Sequence, residues 1–240
     1  MSAPKDLLLV HSSDLHVDDG FTARVHEGEG TRGLRAVLAT ARALAADVVV
    51  LAGDVFEHNR LGDDIVAETA RLVAHAGLPV VMLPGNHDPA LEDSEFYGSM
   101  IARAPNLHVL GVSHEDTVSL PALGLDIWGR AHRRYGDMLP LESPRTRSAR
   151  WHVAVAHGHY HPEPMDLPPP RPAWLIGDAH IAATAADYVA LGHWNQAIKV
   201  GNGPVPAYYS GSPEFAGTIN AVRLSASGEV AVSREPIVWD

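Results

Sequence analysis

Asp14 and His16 follow the apolar run LLLV, and Asp54 follows VVVLAG. Asn86 and His87 follow VVMLPG, His157 follows VAVA, and His193 follows YVALG. Each run reads as a buried strand, so carboxylate, amide and imidazole groups are discharged at one edge of a sheet, which is how a polynuclear metal site is built. The 240 residues contain no cysteine, so thiolate zinc sites, disulfides and cysteine nucleophiles are excluded and any metal sits on nitrogen and oxygen. Fifteen histidines are present, but their number carries less than their placement, because histidines also serve on surfaces, in caps and in satisfied cores.

The motifs differ in how much they say alone. Asp14-x-His16 can face one cation just past a strand, or can be a turn-capping aspartate beside a surface histidine. Asp54 emerges from a buried strand, where an unpaired charge is costly; a cation would neutralise it, and so would a cap or an ion pair to a residue such as Arg60. Gly85-Asn86-His87-Asp88-Pro89 is more specific. Glycine lets the backbone turn, Asn86 offers a neutral oxygen ligand, His87 can donate a proton, and Asp88 can hold His87 in one tautomer.

The elements that would position these groups alternate along the first half. Strands are expected at Leu7–Ser12, Val48–Ala52 and Val80–Leu83. Helices are expected at Thr31–Ala45, opened by a threonine cap, and at Asp63–Ala76, closed by Gly77. This βαβαβ run implies parallel pairing with helices packed on the sheet. Shorter strands follow at Leu107–Leu110, Val118–Leu120, Leu125–Trp128, Val153–Ala156 and Tyr188–Leu191, and a terminal hairpin at Ile219–Leu224 and Glu229–Ser233 turns at Ser227-Gly228. The pattern predicts a mixed sheet system, parallel early and antiparallel late. Six prolines between His161 and Pro172 predict a stiff loop bordering the site.

A chain 46% apolar over 240 residues can bury a sizeable core, and one α/β domain over residues 1–240 is expected. The N-terminus MSAPKDLLLVHSSD lacks a signal-peptide pattern and no run reaches membrane-spanning length, which predicts a soluble cytoplasmic protein without a membrane partner. A net charge of −11 repels a polyanion at long range, so nucleic acid is a disfavoured partner.

Taken in order, Asp14-x-His16, Gly53-Asp54, Gly85-Asn86-His87-Asp88, His157 and Gly192-His193 resemble the signature of the calcineurin-like metallophosphoesterases. Asp54-Val-Phe-Glu-His-Asn-Arg60 and Tyr209-Ser-Gly-Ser-Pro-Glu214 are further similar to the branch that contains the DNA double-strand-break repair nucleases. That branch carries further C-terminal sequence over its DNA site, whereas this chain ends at Asp240, so no capping domain is expected. The resemblance implies a four-layer αββα sandwich and two divalent metal ions, manganese first, with iron or zinc as alternatives. It implies that Asp14 and His16 bind the first metal, Asp54 bridges, and Asn86, His157 and His193 hold the second. His87 would be the proton donor to the leaving group, with Asp88 orienting it. Two cations roughly 3.5–4 Å apart can generate hydroxide near neutral pH and clamp the attacking and leaving oxygens of a phosphoryl group. The implied activity is hydrolysis of a phosphodiester or a small phosphorylated molecule; a repair-type nuclease and an inactive metal-binding scaffold are the alternatives.

One position departs from the resemblance. The family ends its last motif with Gly-His-x-His, where this chain has Gly192-His193-Trp194-Asn195. Asn195 is neutral like imidazole but a harder, weaker donor, so the first metal is expected to be held less tightly than the second. Gly158-His159-Tyr160-His161 is itself a Gly-His-x-His and competes for the role of last motif, or supplies His159 or His161 to the first metal. Against it, Gly192-His193 follows a strand and would be left without a role. His11 is expected to pack beside the site. His58 and Arg130 are candidate substrate contacts, the latter in an island with Arg133, Arg134, Arg145, Arg147 and Arg150 that reads more readily as surface paired to acids.

Overall fold

The computed structural model describes residues 5–18, 20–162 and 174–239. Chain order runs β1 (Leu7–Ser12), α1 (Phe21–Val25), α2 (Arg32–Ala43), β2 (Val48–Ala52), α3 (Asp63–Ala76), β3 (Val80–Leu83), α4 (Glu95–Arg103) and β4 (Leu107–Val109). It continues with β5 (Thr117–Leu120), β6 (Leu125–Gly129), β7 (Trp151–His157), β8 (His159–Tyr160), β9 (Leu175–Ile176), α5 (Asp178–Ala183) and β10 (Tyr188–Gly192). The last elements are β11 (Ile198–Val200), β12 (Ala207–Tyr209), α6 (Pro213–Ala216), β13 (Thr218–Leu224) and β14 (Val230–Pro236).

Two mixed six-stranded sheets face each other, ordered β14-β13-β1-β2-β3-β4 and β11-β12-β10-β7-β6-β5. Period-two alternation sorts the side chains. Leu9, Val50 and Val81 of the first sheet meet Val153, Val155 and Ala190 of the second in the layer between them. Their neighbours Val10, Val49 and Met82 point outward beneath α2, α3 and α4. The long apolar runs of the sequence are thus strands buried on both faces, and each such aliphatic side chain contributes roughly 1.5–3 kcal/mol relative to an exposed one. The outer face of the second sheet, with Ala154, Ala156, Val189 and Leu191, is covered more thinly, by Ile181 of α5 and by Trp128, Tyr160 and Ile176.

α3 spans the range its sequence predicts: Asp63 and Asp64 complement the dipole in its first turn, and Gly77 closes it at φ 71°. α2 is shorter than expected, and Thr31 precedes it without a side-chain cap. The terminal hairpin pairs antiparallel as expected, β13 also lying antiparallel to β1. The expectation of antiparallel late strands is corrected, because β12, β10, β7 and β6 run parallel and only β5 and β11 at the two edges are reversed. Of the proline-rich loop, residues 163–172 lie outside the described residues. No described helix is long and apolar enough to cross a membrane.

Candidate metal centre

The parallel strands β1, β2, β3, β7 and β10 end at the same edge, and their C-terminal loops carry the polar groups. The loops after β1 and β2 stay laddered beyond the strands: the amides of Asp14 and His16 donate to the carbonyls of Gly53 and Asp54 at 3.0 and 3.1 Å. Holding their side chains inward puts Asp14, His16, Asp54 and His193 at φ 55°, 48°, 49° and 109°, a region L-residues seldom occupy outside functional loops. Gly53, at φ 90°, and Gly192 flank the His157 ring so closely that a Cβ on either would collide with it, at 2.2 and 2.9 Å from Nδ1. That close approach explains why glycine precedes both Asp54 and His193.

His157 is fully buried, and its Nδ1–H donates to the Ala52 carbonyl at 2.9 Å. The tautomer is thereby set, and the lone pair on Nε2 faces Asn86 Oδ1 at 3.0 Å and Asp54 Oδ2 at 3.1 Å. Three acceptors turned toward one another have no reason to converge unless a cation or a proton lies among them. Asp54, His157 and His193 form one group whose ligand atoms lie within 4.8 Å of each other, and Asp14, His16 and Asp54 form another. Asp54 belongs to both. The donor set, nitrogen and oxygen only, fits a pair of divalent cations.

Protonation follows the same logic. Burial opposes charge on His157, but the adjacent Asp54 carboxylate wins and raises it to about 9. Asp54 is opposed by burial yet held well below the usual carboxylate range by His157. Burial pushes Asp14 up, and burial together with the charge of His157 lowers His193 to about 4. His132 donates from Nε2 to the His157 carbonyl at 2.9 Å and is lowered to about 4, chiefly by burial.

The structure brings Asp14, His16, Asp54, Asn86, His87, His157 and His193 to one place. Asn195 is exposed and lines the cavity that Asp14 and His16 also face. His159 accepts from Trp194 Nε1 at 3.1 Å and meets the His193 ring edge-on, His193 in turn lying edge-on to His157.

Asp88 has a role other than orienting His87. Its Oδ1 accepts the Gly85 amide at 2.7 Å, and Oδ2 accepts the amides of Val55 and Phe56 at 3.0 and 3.1 Å. It straps the loop after β3 to the loop after β2. His87 is instead held through Nδ1–H donating to the Glu57 carbonyl at 3.1 Å, with the Glu57 carboxylate 3.7 Å away. The other Glu57 oxygen sits 2.7 Å from His16 Nδ1. Glu57, which sequence reasoning passed over, therefore sits against the Nδ1 atoms of both imidazoles. Its signal was its place three residues after Asp54 in a run already conspicuous.

His58 turns away, its Nδ1 accepting the Arg60 amide at 3.2 Å. Arg130 pairs with Glu142 at 2.5 Å, Arg147 with Asp187 at 2.7 Å, and Arg145 with Asp116, so much of the arginine island is surface matched to acids. Neither His58 nor Arg130 lines the cavity or belongs to the candidate ligand groups.

A family model described as calcineurin-like phosphoesterase matches residues 7–197. No curated protein sequence matches. Among solved structures, the TT1561 protein of Thermus thermophilus superposes with a TM-score of 0.59 at 11% identity, covering 95% of this chain and 98% of its own. A putative 5'-nucleotidase from Staphylococcus aureus superposes at 0.62 with 13% identity, and a 5'-nucleotidase precursor from Thermus thermophilus at 0.58 with 15%. Each covers 98% of this chain, which spans only 55% and 54% of theirs. At these identities the likeness is one of fold.

Proposed function

The chain belongs to the calcineurin-like phosphoesterase family, and from that premise we propose that it hydrolyses a phosphodiester or a small phosphorylated molecule with two divalent cations bound, manganese preferred over iron or zinc. Asp14, His16 and Asn195 would hold the first and Asn86, His157 and His193 the second, with Asp54 available to both. The chemistry such a pair supplies is neutralisation of the phosphoryl oxygens and activation of water. The observation that carries the reading is that two ligand groups share Asp54 while His87 lines the same cavity as Asp14 and His16.

The chain's own residues divide the remaining work. Glu57 takes His87 Nδ1, so Nε2 is the nitrogen available to give a proton to the leaving oxygen. The Ala52 carbonyl keeps His157 in the tautomer that ligates. Asp88 holds two loops in register, so that Asp54 and Asn86 stay opposite His157.

Hydrolysis of a phosphodiester, a phosphomonoester and single-stranded DNA by the manganese-loaded protein tests this beside His87→Ala. Loss of the general acid should lower kcat about 10²- to 10⁴-fold with bound manganese unchanged by elemental analysis. Unaltered turnover in His87→Ala removes that residue from the mechanism, and no turnover of any substrate removes the hydrolase reading.

A further inference from the structure

From the cavity that opens beside Asp14, His16 and His87 we infer that the leaving alcohol of the substrate carries a planar aromatic group, seated between Phe21 of α1 and Phe215 of α6. The inference rests on the proposed hydrolysis, with His87 as the proton donor. The cavity measures about 520 Å³, and its lining includes Asp14, His16 and His87 together with Phe21, Val25 and Phe215. A volume of this size suits a small ligand.

Phe21, Val25 and Phe215 are 66%, 58% and 78% exposed. Single exposed apolar residues need no explanation, but three lining one cavity form a patch of the kind that binds something. These helices are not there to bury their own side chains. α1, of five residues, buries only Ala23, and α6, of four, only Pro213, and helices so short have no stability of their own.

Polar contacts hold them in place instead. Asp18 accepts the amides of Phe21 and Thr22 at 3.0 and 2.7 Å, and Thr22 Oγ1 donates to the His16 carbonyl at 2.6 Å, joining α1 to a metal ligand. His26 Nε2 meets Glu214 at 3.1 Å and ties α1 to α6. The two phenyl rings are thus held at the cavity by these contacts.

Charge narrows the occupant. No lysine or arginine is among the described residues lining the cavity, whereas Glu57 and Glu214 are. A second phosphate, a carboxylate or a nucleic-acid backbone would be repelled, so the ring-bearing part is uncharged. A benzyl-type group and a nucleobase share the required chemistry.

The test measures kcat/KM of the manganese-loaded protein on benzyl, adenosine-5' and ethyl phosphates, each as monoester and as methyl diester. An aromatic ester should be preferred over the ethyl ester about tenfold or more, as expected for stacking on a side chain. The faster of the two aromatic arms identifies an aryl group or a nucleobase. Phe215→Ala and Phe21→Ala should each lower the aromatic-to-ethyl ratio about tenfold, and Phe215→Tyr should restore it. Hydrolysis with no aromatic preference, or a ratio unmoved by both alanine variants, overturns the inference while leaving the hydrolase reading intact. Calorimetric titration with benzylphosphonate and ethylphosphonate covers the reverse case. If no ester is hydrolysed, tighter binding of benzylphosphonate that weakens in Phe215→Ala upholds the pocket and removes the hydrolase reading; equal binding of the two phosphonates removes both.

Discussion

Asn195 stands where the family's last motif has a histidine, and it faces the cavity beside Asp14 and His16. An amide oxygen is a weaker donor than imidazole to manganese or zinc, and an exposed side chain gives up rotamer freedom to ligate. Titration of metal-stripped protein with manganese should therefore resolve two classes of site, and Asn195→His should tighten the weaker by about tenfold or more. Two equally tight sites in the parent would refute the assignment. The residues that converge were legible because each follows an apolar run whose end had to be polar at a sheet edge. Glu57 and Asp88 were harder to read. A carboxylate that fixes a histidine and one that straps backbone amides look alike in sequence, and only the fold of the loop decides which amides lie within reach.

At the scale of elements, the buried strands and α3 were legible because apolar periodicity and a terminal glycine mark them. α4 was hidden by Gly98 and by an apolar face reduced to Tyr97 and Met100. α5 was hidden because it buries only Ile181. The parallel centre of the second sheet escaped for a related reason. The connection from β6 to β7 contains no helix, so no 3.6-residue periodicity announces a crossover. Between these elements, the loops after β2 and β3 are joined by Asp88, whose backbone carbonyl in turn accepts Tyr97 Oη–H of α4 at 2.6 Å. Asp88→Ala leaves the amides of Gly85, Val55 and Phe56 without their acceptor in a buried setting. A loss of about 3 kcal/mol is expected in urea unfolding of the metal-free protein, less whatever burial already costs the carboxylate, whose pKa is raised to about 6 by burial and by Asp54. Metal affinity should fall with it, since Asp54 and Asn86 sit on the two strapped loops. A variant as stable as the parent would show that water replaces the carboxylate.

Across the whole molecule, the two sheets meet through an aliphatic layer, and a buried polar cluster crosses it at His11. His11 of β1 contacts the Tyr188 hydroxyl of β10 at 2.9 Å, and Asn220 of β13 lies 3.4 Å from both. Burial lowers His11 from 6.5 to about 3, so the native state keeps it neutral while the unfolded chain takes up a proton below pH 6.5. The sign follows: a depressed histidine makes stability constant above the unfolded pKa and falling as the pH drops from 6.5 toward 3, at about 1.4 kcal/mol per pH unit. Between pH 7 and pH 5 this one residue should account for about 2 kcal/mol of lost stability. Other histidines titrate over the same range, so the comparison is with His11→Gln, which keeps a polar group near Tyr188 and Asn220 but cannot be protonated. Urea unfolding of chelator-treated parent and variant at both pH values isolates the difference, because groups not in contact with His11 contribute equally to each. A variant whose stability falls as steeply as the parent's would mean that His11 is protonated in the native state, and that the two sheets are joined there by a charge instead of a neutral bridge.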